Sequence, residues 1–561
     1  MAEKKRKQQS FEYGAIILLC STVLVKIIGA VFKIPLARLW VEDGFGCFDS
    51  AYQLFTPIYT LAMAGLPIAI SRIVAADVRK GKYKDVRNTF KVAKRLFMIT
   101  GLTGFVIMML LVYPFVKYTD ASGDSIYSIF AIAPALFFCC IMSAYRGYYE
   151  GLRNMYPTAI SDVIEALGKL IAGYGFAYVV MKITGRDELS AAGAMLGIVV
   201  GSIASSAFLI LRHKIKGDGI TQAEYINAPE PDTDKNLSKQ LIAIAIPVVL
   251  ASLANSFSSL ADTFFVKSQL TSMMGDHAAT IRDMYSASIA ERDLNAISVL
   301  ENSQIPNFLF GVRGKAFTLY NLVPSITSVL GVSALPVLTS AWTKKDKKSI
   351  KRNIESTIKL TAIISMPIGI GFLALGNEIM DLLYGTVASV EIGGIMLRIY
   401  GLAAIFAGLA IPMTSMLQAI GKEKISLRNV AIGAALKVIV NFILVGIPKI
   451  NIRGAAVGTM ICFMFIFVAN LLSLIKYTGI TPNFYKTILK PLIAALCCGL
   501  STVILNLSSM GKIGTVLEIA VAAVVYIAVL VIINTFEPDD VLSLPKGEKM
   551  LKVFTKFKII R

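Results

Sequence analysis

Residues 166–174 read ALGKLIAGY and residues 434–442 read AALKVIVNF. Each is an apolar run broken by a single lysine, Lys169 in the first and Lys437 in the second. Other pairs follow in the same order along the chain. PIAISRIVAADVRKGKYKDVR (67–87) is answered by PVLTSAWTKKDKKSIKR (336–352), where Pro and Ser/Thr close an apolar run and a basic loop follows. YYEGLRNMYP (148–157) is answered by LQAIGKEKIS (417–426), with Gly151 matching Gly421. GAMLG (193–197) is answered by GAAVG (454–458), a small-xxx-small spacing that lets two helices approach closely. Each likeness is short, but their shared order implies an internal duplication. The unit holds an even number of apolar runs, so both copies insert the same way round. That is the parallel-repeat plan of several transporters, with the substrate site expected between the halves.

Composition fits this reading. Of 561 residues, 55% are apolar and 16% charged, with a mean hydropathy of +0.68. A soluble domain carries roughly 25% charged residues, so most of this chain must face lipid or other apolar helices. A soluble enzyme and a disordered chain are both excluded. The net charge of +20 is read as Lys and Arg gathered in cytoplasmic loops rather than as a nucleic-acid footprint. Seven cysteines, Cys20, Cys47, Cys139, Cys140, Cys462, Cys497 and Cys498, form no CxxC pair. With only His213 and His277, a zinc cluster, another metal site and a histidine relay are not expected. No Walker A or GxSxG motif occurs, so neither a built-in ATPase nor a serine hydrolase is expected, and no cofactor is called for. No cleavable signal is expected after the basic first ten residues.

About fourteen spans are expected, near 13–35, 51–71, 95–116, 125–145, 157–181, 190–211, 241–265, 316–341, 357–375, 392–418, 426–448, 454–475, 487–507 and 514–535. With the N-terminus inside, inner segments hold roughly 39 Lys and Arg and outer ones roughly 12, which supports an even number of crossings with both ends cytoplasmic. The fold class is therefore an all-α polytopic membrane protein: two six-helix lobes plus two C-terminal helices. The domains follow as an N-lobe (1–211), a polar linker carrying Pro229 and Pro231 (212–240), a C-lobe (241–475), and two last spans with a basic tail (476–561). Residues 266–312 read as a long outer loop, rich in Ser, Asp and Met, with room for a short surface helix.

Ionisable residues inside spans cost several kcal/mol and mark a cavity or a pairing. Lys26 and Lys33 lie seven residues apart in VLVKIIGAVFKIPLAR (23–38), hence on one helix face, with no acid in their span. They either line a water-filled, anion-attracting cavity or snorkel to the headgroups. Asp162, Glu165 and Lys169 share a span. Glu165 and Lys169, at i and i+4, suit an intrahelical pair, whereas Asp162 and Glu165 together suit a coupling cation or proton. Asp262 is a further candidate for a coupling ion. Arg398 and Lys437 lack acids in their own spans, and either faces a cavity or pairs with a neighbouring helix. Arg313 and Lys315 read as the mouth of a span, in contact with substrate or with headgroups. Arg146, Glu150 and Arg153 fall in YRGYYEGLRNMYP (145–157), read as a headgroup anchor or as an inner gate that makes the first phosphate contact.

The run KIIGAVFKIPLARLWVEDGFGCFDSAYQLFTPIYTLAMAGLPIAISR (26–72) resembles the opening of the stage V sporulation protein B-like family of polysaccharide exporters. YRGYYEGLRNMYPTAISDVIEALGK (145–169), AFTLYNLVPSITSVLGVSALP (316–336), LQAIGKEKIS (417–426) and INIRGAAVGT (450–459) are similar to it too. The resemblance covers about residues 11–535 and extends to the multidrug/oligosaccharidyl-lipid/polysaccharide exporter superfamily, which includes the bacterial lipid II flippases. It implies paired six-helix lobes in a V, alternating access, and an undecaprenyl-diphosphate-linked saccharide as cargo across the bacterial plasma membrane. It also implies that Lys26 and Lys33 occupy the positions of cavity-lining cations on the first helix. Those relatives favour arginine there, one residue closer together, and lysine offers a point charge in place of a bidentate fork.

The expected function is thus a flippase for a lipid-linked saccharide, with Lys26, Lys33, Arg398, Lys437 and Arg313 as candidate diphosphate contacts. The alternative is a cation-coupled antiporter of drugs or organic cations. Expected partners are the lipid-linked substrate, the bilayer and a Na+ or H+ coupling ion, with no nucleic acid and a monomeric chain.

Overall fold

The computed structural model describes residues 11–40, 42–63, 65–119, 123–295 and 300–535, and among these there is no strand. The N-terminal half forms α1 (Phe11–Leu39), α2 (Glu42–Met63), α3 (Leu66–Arg79), α4 (Tyr83–Thr119), α5 (Ser125–Ile132), α6 (Ala135–Gly151), α7 (Tyr156–Thr184), α8 (Asp187–Lys216), the short α9 (Gln222–Ile226) and the 43-residue α10 (Asp234–Asp276). There follow α11 (Ala278–Met284), α12 (Ser286–Asn295), α13 (Ile305–Tyr320), α14 (Leu322–Thr343), α15 (Lys347–Ala374), α16 (Gly376–Leu383), α17 (Gly394–Ala419), α18 (Glu423–Val445), α19 (Arg453–Thr478), α20 (Lys490–Leu505) and α21 (Gly511–Ile532). Thirteen helical stretches are long and apolar enough to cross a membrane, counted among the described residues. They take in every expected span but 241–265. That span lies in α10, where part of the side chains falls outside the described residues.

Several spans are longer than hydropathy suggests because their ends are polar. The span expected at 51–71 runs from Glu42 to Arg79 and is interrupted near Gly65, where α3 starts with proline as its second residue. Segment 266–312 is a correction. Instead of a long loop it carries the end of α10, then α11, α12 and the start of α13. Its Ser- and Asp-rich composition lowers hydropathy without breaking helices, so a reading based on apolar runs sees only a gap. The basic tails expected at both ends lie outside the described residues.

The chain divides into two units. One holds the residues up to Ser268 together with Pro306–Gly311, and the other holds Gln269–Ile305 and the chain from Val312 onward. In the first unit the GAMLG spacing acts as expected. Gly197 meets the backbone of Gly173, and a Cβ on Gly168 would stand 2.6 Å from the Cα of Gly201. α7 and α8 therefore touch backbone to backbone. Between helices in lipid there is no water to expel, so such close packing supplies the attraction. α1 joins this pair through Phe32, which is fully buried with its ring against Gly173. Trp40 Nε1, at the end of α1, donates to Ser190 Oγ at 2.7 Å, and Ser190 donates to the Ala177 carbonyl. These contacts fix the face that α1 and α7 present to the site.

Candidate functional site

In the first unit, α1, α2, α6 and α7 enclose a cavity of about 440 Å³. Lys26 lies on its wall, with Lys169 and Arg146 contributed by α7 and α6. The acids on the wall are Asp162 and Glu165, one turn apart on α7. Arg146 holds both. Its Nη1 stands 2.9 Å from Asp162 Oδ1 and its Nη2 3.0 Å from Glu165 Oε2. Its Nε donates to Ser161 Oγ at 2.9 Å, and Nη2 also reaches Ser205 Oγ on α8 at 3.3 Å. The guanidinium thus spends its donor fork on a carboxylate pair and two hydroxyls, a geometry lysine could not reproduce. The Arg146 side chain is 14% exposed against 24% and 28% for its partners, so the cluster is open to water on its carboxylate side.

Lys169 does not take Glu165 as its partner, contrary to the i, i+4 expectation. Its Nζ sits 5.1 Å from the ring centres of both Phe32 and Tyr52, in cation–π range. Lys33 lies 6.0 Å from the Phe48 ring and 5.8 Å from Tyr52. Tyr52 is therefore shared by two lysines from different helices. It belongs to a ladder along α2, from Phe48 to Tyr52 to Phe55 to Tyr59, with centroid spacings of 6.3, 6.2 and 5.4 Å. Tyr52, Phe55, Thr56 and Tyr59 face the cavity. The site combines cations held over aromatic rings with acids already bonded to arginine, which gives a surface suited to an anion attached to something with apolar or sugar-like faces.

The other expected residues are placed as follows. Arg146 separates from Glu150 and Arg153: it belongs to the cavity wall, whereas Glu150 is half-buried at the end of α6 and Arg153 is exposed in the following turn at φ 55°. Neither of these two lines the cavity. Arg313, expected at a mouth, is instead buried on α13 with its guanidinium 5.1 Å from the Phe317 ring. Lys315 is buried on the same helix. Arg398 on α17 is half-buried, with its stem beside Gly376, and Lys437 on α18 is buried. All four belong to the second unit. The side chain of Asp262 lies outside the described residues. Reading by sequence overlooked Tyr52 and Tyr59 altogether, although their spacing with Phe55 puts all three on one helix face. It also overlooked Lys267, which is fully buried where α10 meets α2 and α13. Its Nζ donates to Ser50 Oγ at 2.9 Å and to Asn307 Oδ1.

A bundle of this form is that of an all-helical polytopic membrane protein. It matches a solved structure of the lipid II flippase MurJ in an inward closed conformation with a TM-score of 0.65, covering 92% of this chain and 98% of that one at 15% identity. The family model described as polysaccharide biosynthesis protein matches residues 13–287, and that described as lipid II flippase MurJ matches residues 316–525. Stage V sporulation protein B of Bacillus subtilis is 24% identical over 547 residues, 96% of this chain and 98% of the relative. Lipid II flippase MurJ of the same organism is 24% identical over 440 residues, 76% of each. The chain is thus similar to stage V sporulation protein B over nearly its whole length and to the lipid II flippase MurJ over about three quarters of it.

Proposed function

We propose that this multi-pass membrane protein moves a saccharide linked to a lipid diphosphate across the bacterial plasma membrane, and that the first unit's cavity holds the diphosphate. The observation that carries this reading is the charge bookkeeping of the cavity. Both carboxylates are bonded to Arg146, which leaves the charges of Lys26 and Lys169 facing the space with no acid bonded to them among the described residues. A diphosphate cannot enter hydrocarbon bare, since an isolated charge there costs far more than any headgroup contact returns. A hydrated cationic pocket replaces its water while the polyprenyl tail stays in lipid. Tyr52 and Tyr59 offer ring faces of the kind that sugars stack on.

With the interior negative, outward transfer of the anion gains roughly 2.3 kcal/mol per charge per 100 mV. Return of the empty cationic site inward gains for the same reason, so the potential can drive a cycle by alternating access without ATP. Asp162 and Glu165 are the candidate sites for a Na+ or H+ coupling ion, which would compete with Arg146 for them. A drug antiporter selecting organic cations would need acids free to meet its cargo, and Arg146 occupies these. The reading is that of a transporter and not an enzyme, with both termini cytoplasmic and a monomer sufficient for the site.

Depletion of the protein in a strain lacking redundant relatives tests this. Accessibility of lipid-linked precursors to an external probe should fall, and wild type should restore it while Lys26→Ala and Lys169→Met should not. Unchanged accessibility on depletion would reject flipping. Full rescue by both variants would keep flipping and reject the site.

A further inference from the structure

A second cavity, of about 310 Å³, lies in the first unit where α4 and α8 meet the linker. It is lined by Arg87, Phe90, Lys91, Lys94, Tyr148, His213, Gly217 and Asp218. The linker threads along α4 by pairing its cations one by one. Lys84 meets Glu230 at 2.9 Å, Arg87 meets Asp218 at 2.8 Å, and Arg95 meets Asp234 at 2.9 Å. The Asp85 carboxylate accepts the Asp232 amide at 2.6 Å. Lys91 and Lys94 stand in the same stretch, one turn apart, and no carboxylate pairs with either among the described residues. Two like charges at i, i+3 repel each other at a cost of a few tenths of a kcal/mol, so a linker that answers the other cations with an acid leaves here a paired positive charge that a bound anion would neutralise.

The cavity's walls suit such an anion. Lys94 Nζ lies 5.1 Å from the Phe90 ring centre and 5.9 Å from that of Tyr145, which orients the ammonium. His213 is set among Phe90, Tyr145, Tyr148 and Tyr149 at 5.1 to 6.0 Å between ring centres, and its Nδ1 is bonded to the Tyr149 hydroxyl at 3.0 Å. Asp218 also lines the space, but its oxygens are taken by Arg87, by the Tyr148 hydroxyl at 3.0 Å and by the Ile220 amide at 3.0 Å. We propose that this pocket is a separate phosphoanion site, in which Lys91 and Lys94 grip a phosphate above a floor of aromatic rings. The phosphate comes either from an anionic lipid headgroup or from a soluble phosphate compound. Basic pockets between membrane helices on the cytoplasmic side bind anionic lipid headgroups.

The test is one of binding, so it stands apart from the flipping assay. The full chain is placed in nanodiscs of phosphatidylcholine, and its melting is followed while inorganic pyrophosphate is added. The second arm replaces part of the lipid with phosphatidylglycerol. A stabilising shift with pyrophosphate assigns a soluble source, and one with phosphatidylglycerol alone assigns a lipid source. Either shift should need about tenfold more ligand in K91Q/K94Q, the loss of one or more charge-assisted contacts. The single variant K91Q, at an exposed position, should keep the melting point of wild type in phosphatidylcholine and still weaken the response. No shift in wild type, or an equal shift in a K91Q that melts normally, would overturn the proposal.

Discussion

The pairs α7/α8 and α18/α19 are two renderings of one packing scheme with different chemistry. In the first, Gly193 sits against Phe176 and Ala177, and Gly197 against Gly173. In the second, Gly454 sits against Leu444 and Val445, and Gly458 against Asn441 and the Lys437 carbonyl. Aligned on Lys169 and Lys437, these contacts fall at the same heights of the two helices. At the positions of Asp162 and Glu165, however, the second copy has Val430 and Gly433, and Gly433 packs on Ile466. Around those positions the second copy pairs amides and a hydroxyl: Asn429 to Asn470 at 3.0 Å, and Asn470 to Thr414 at 2.9 Å. The glycine spacing is thus what the fold requires, because both copies keep it. The ionic cluster is not needed to pack these helices, because one copy does without it. A charged group retained where packing does not ask for it is a functional candidate.

The strongest way to break this comparison is at Arg146. Arg146→Gln leaves Asp162 and Glu165 facing each other without their cation, and removing one partner of a buried pair costs about 3–5 kcal/mol. Partial hydration of the cluster places the expected loss at the lower end. R146Q/D162N/E165Q, which removes all the charges, should melt close to wild type if the cluster serves transport, and should still fail to restore precursor accessibility. Restored transport in the triple variant would show the cluster to be structural. Next in size are Gly197→Ala and Gly458→Ala. Each drives a Cβ into a helix it touches, an overpacking worth about 1–3 kcal/mol. Thermal unfolding should show similar losses in both, since the packing is common to both copies. A third comparison separates the lysines. Lys169→Met should reduce transport at least tenfold while leaving expression and melting near wild type. Lys437→Met, at a buried position, should alter melting more than transport.

How much of this was legible in the sequence follows from the range of each interaction. The lysine and glycine spacings of both copies are local patterns, so the helices, the duplication and the close contacts could be read directly. Lys26 could be found because a lysine without an acid in its own span is conspicuous. The cavity could not be assembled from local patterns. Glu165 and Lys169 are neighbours on one helix and invite pairing, but Arg146 reaches Glu165 from nineteen residues away and wins with a fixed two-pronged geometry. Tyr52 was invisible because an aromatic residue in an apolar run is ordinarily packing. Segment 266–312 was missed because its helices are polar, so no apolar run announces them.

The smallest effect sharpens the comparison at the basic loops that both copies carry. In the first copy, cations reach out to the linker, Arg87 to Asp218 and Lys84 to Glu230. In the second, Asp346 turns back and caps its own helix α15, accepting from the amides of Lys348 and Ser349 at 3.1 Å each. Burial alone would raise the Asp218 carboxyl. The hydrogen bonds from Arg87, the Ile220 amide and Tyr148 outweigh burial and hold it below the ordinary value. A carboxyl depressed in the folded state contributes stability above its unfolded value, and that contribution is lost as pH falls through the folded one. Acid should therefore release residues 217–234 from α4 before the bundle melts, seen as faster amide exchange in that segment below the ordinary carboxylate range. Asp218→Asn should give the same release at neutral pH, with precursor accessibility unchanged. Asp346→Asn should speed exchange only in the first turn of α15, because its bonds reach no second element. If Asp218→Asn leaves the linker as protected as wild type, the charges of α4 do not hold it.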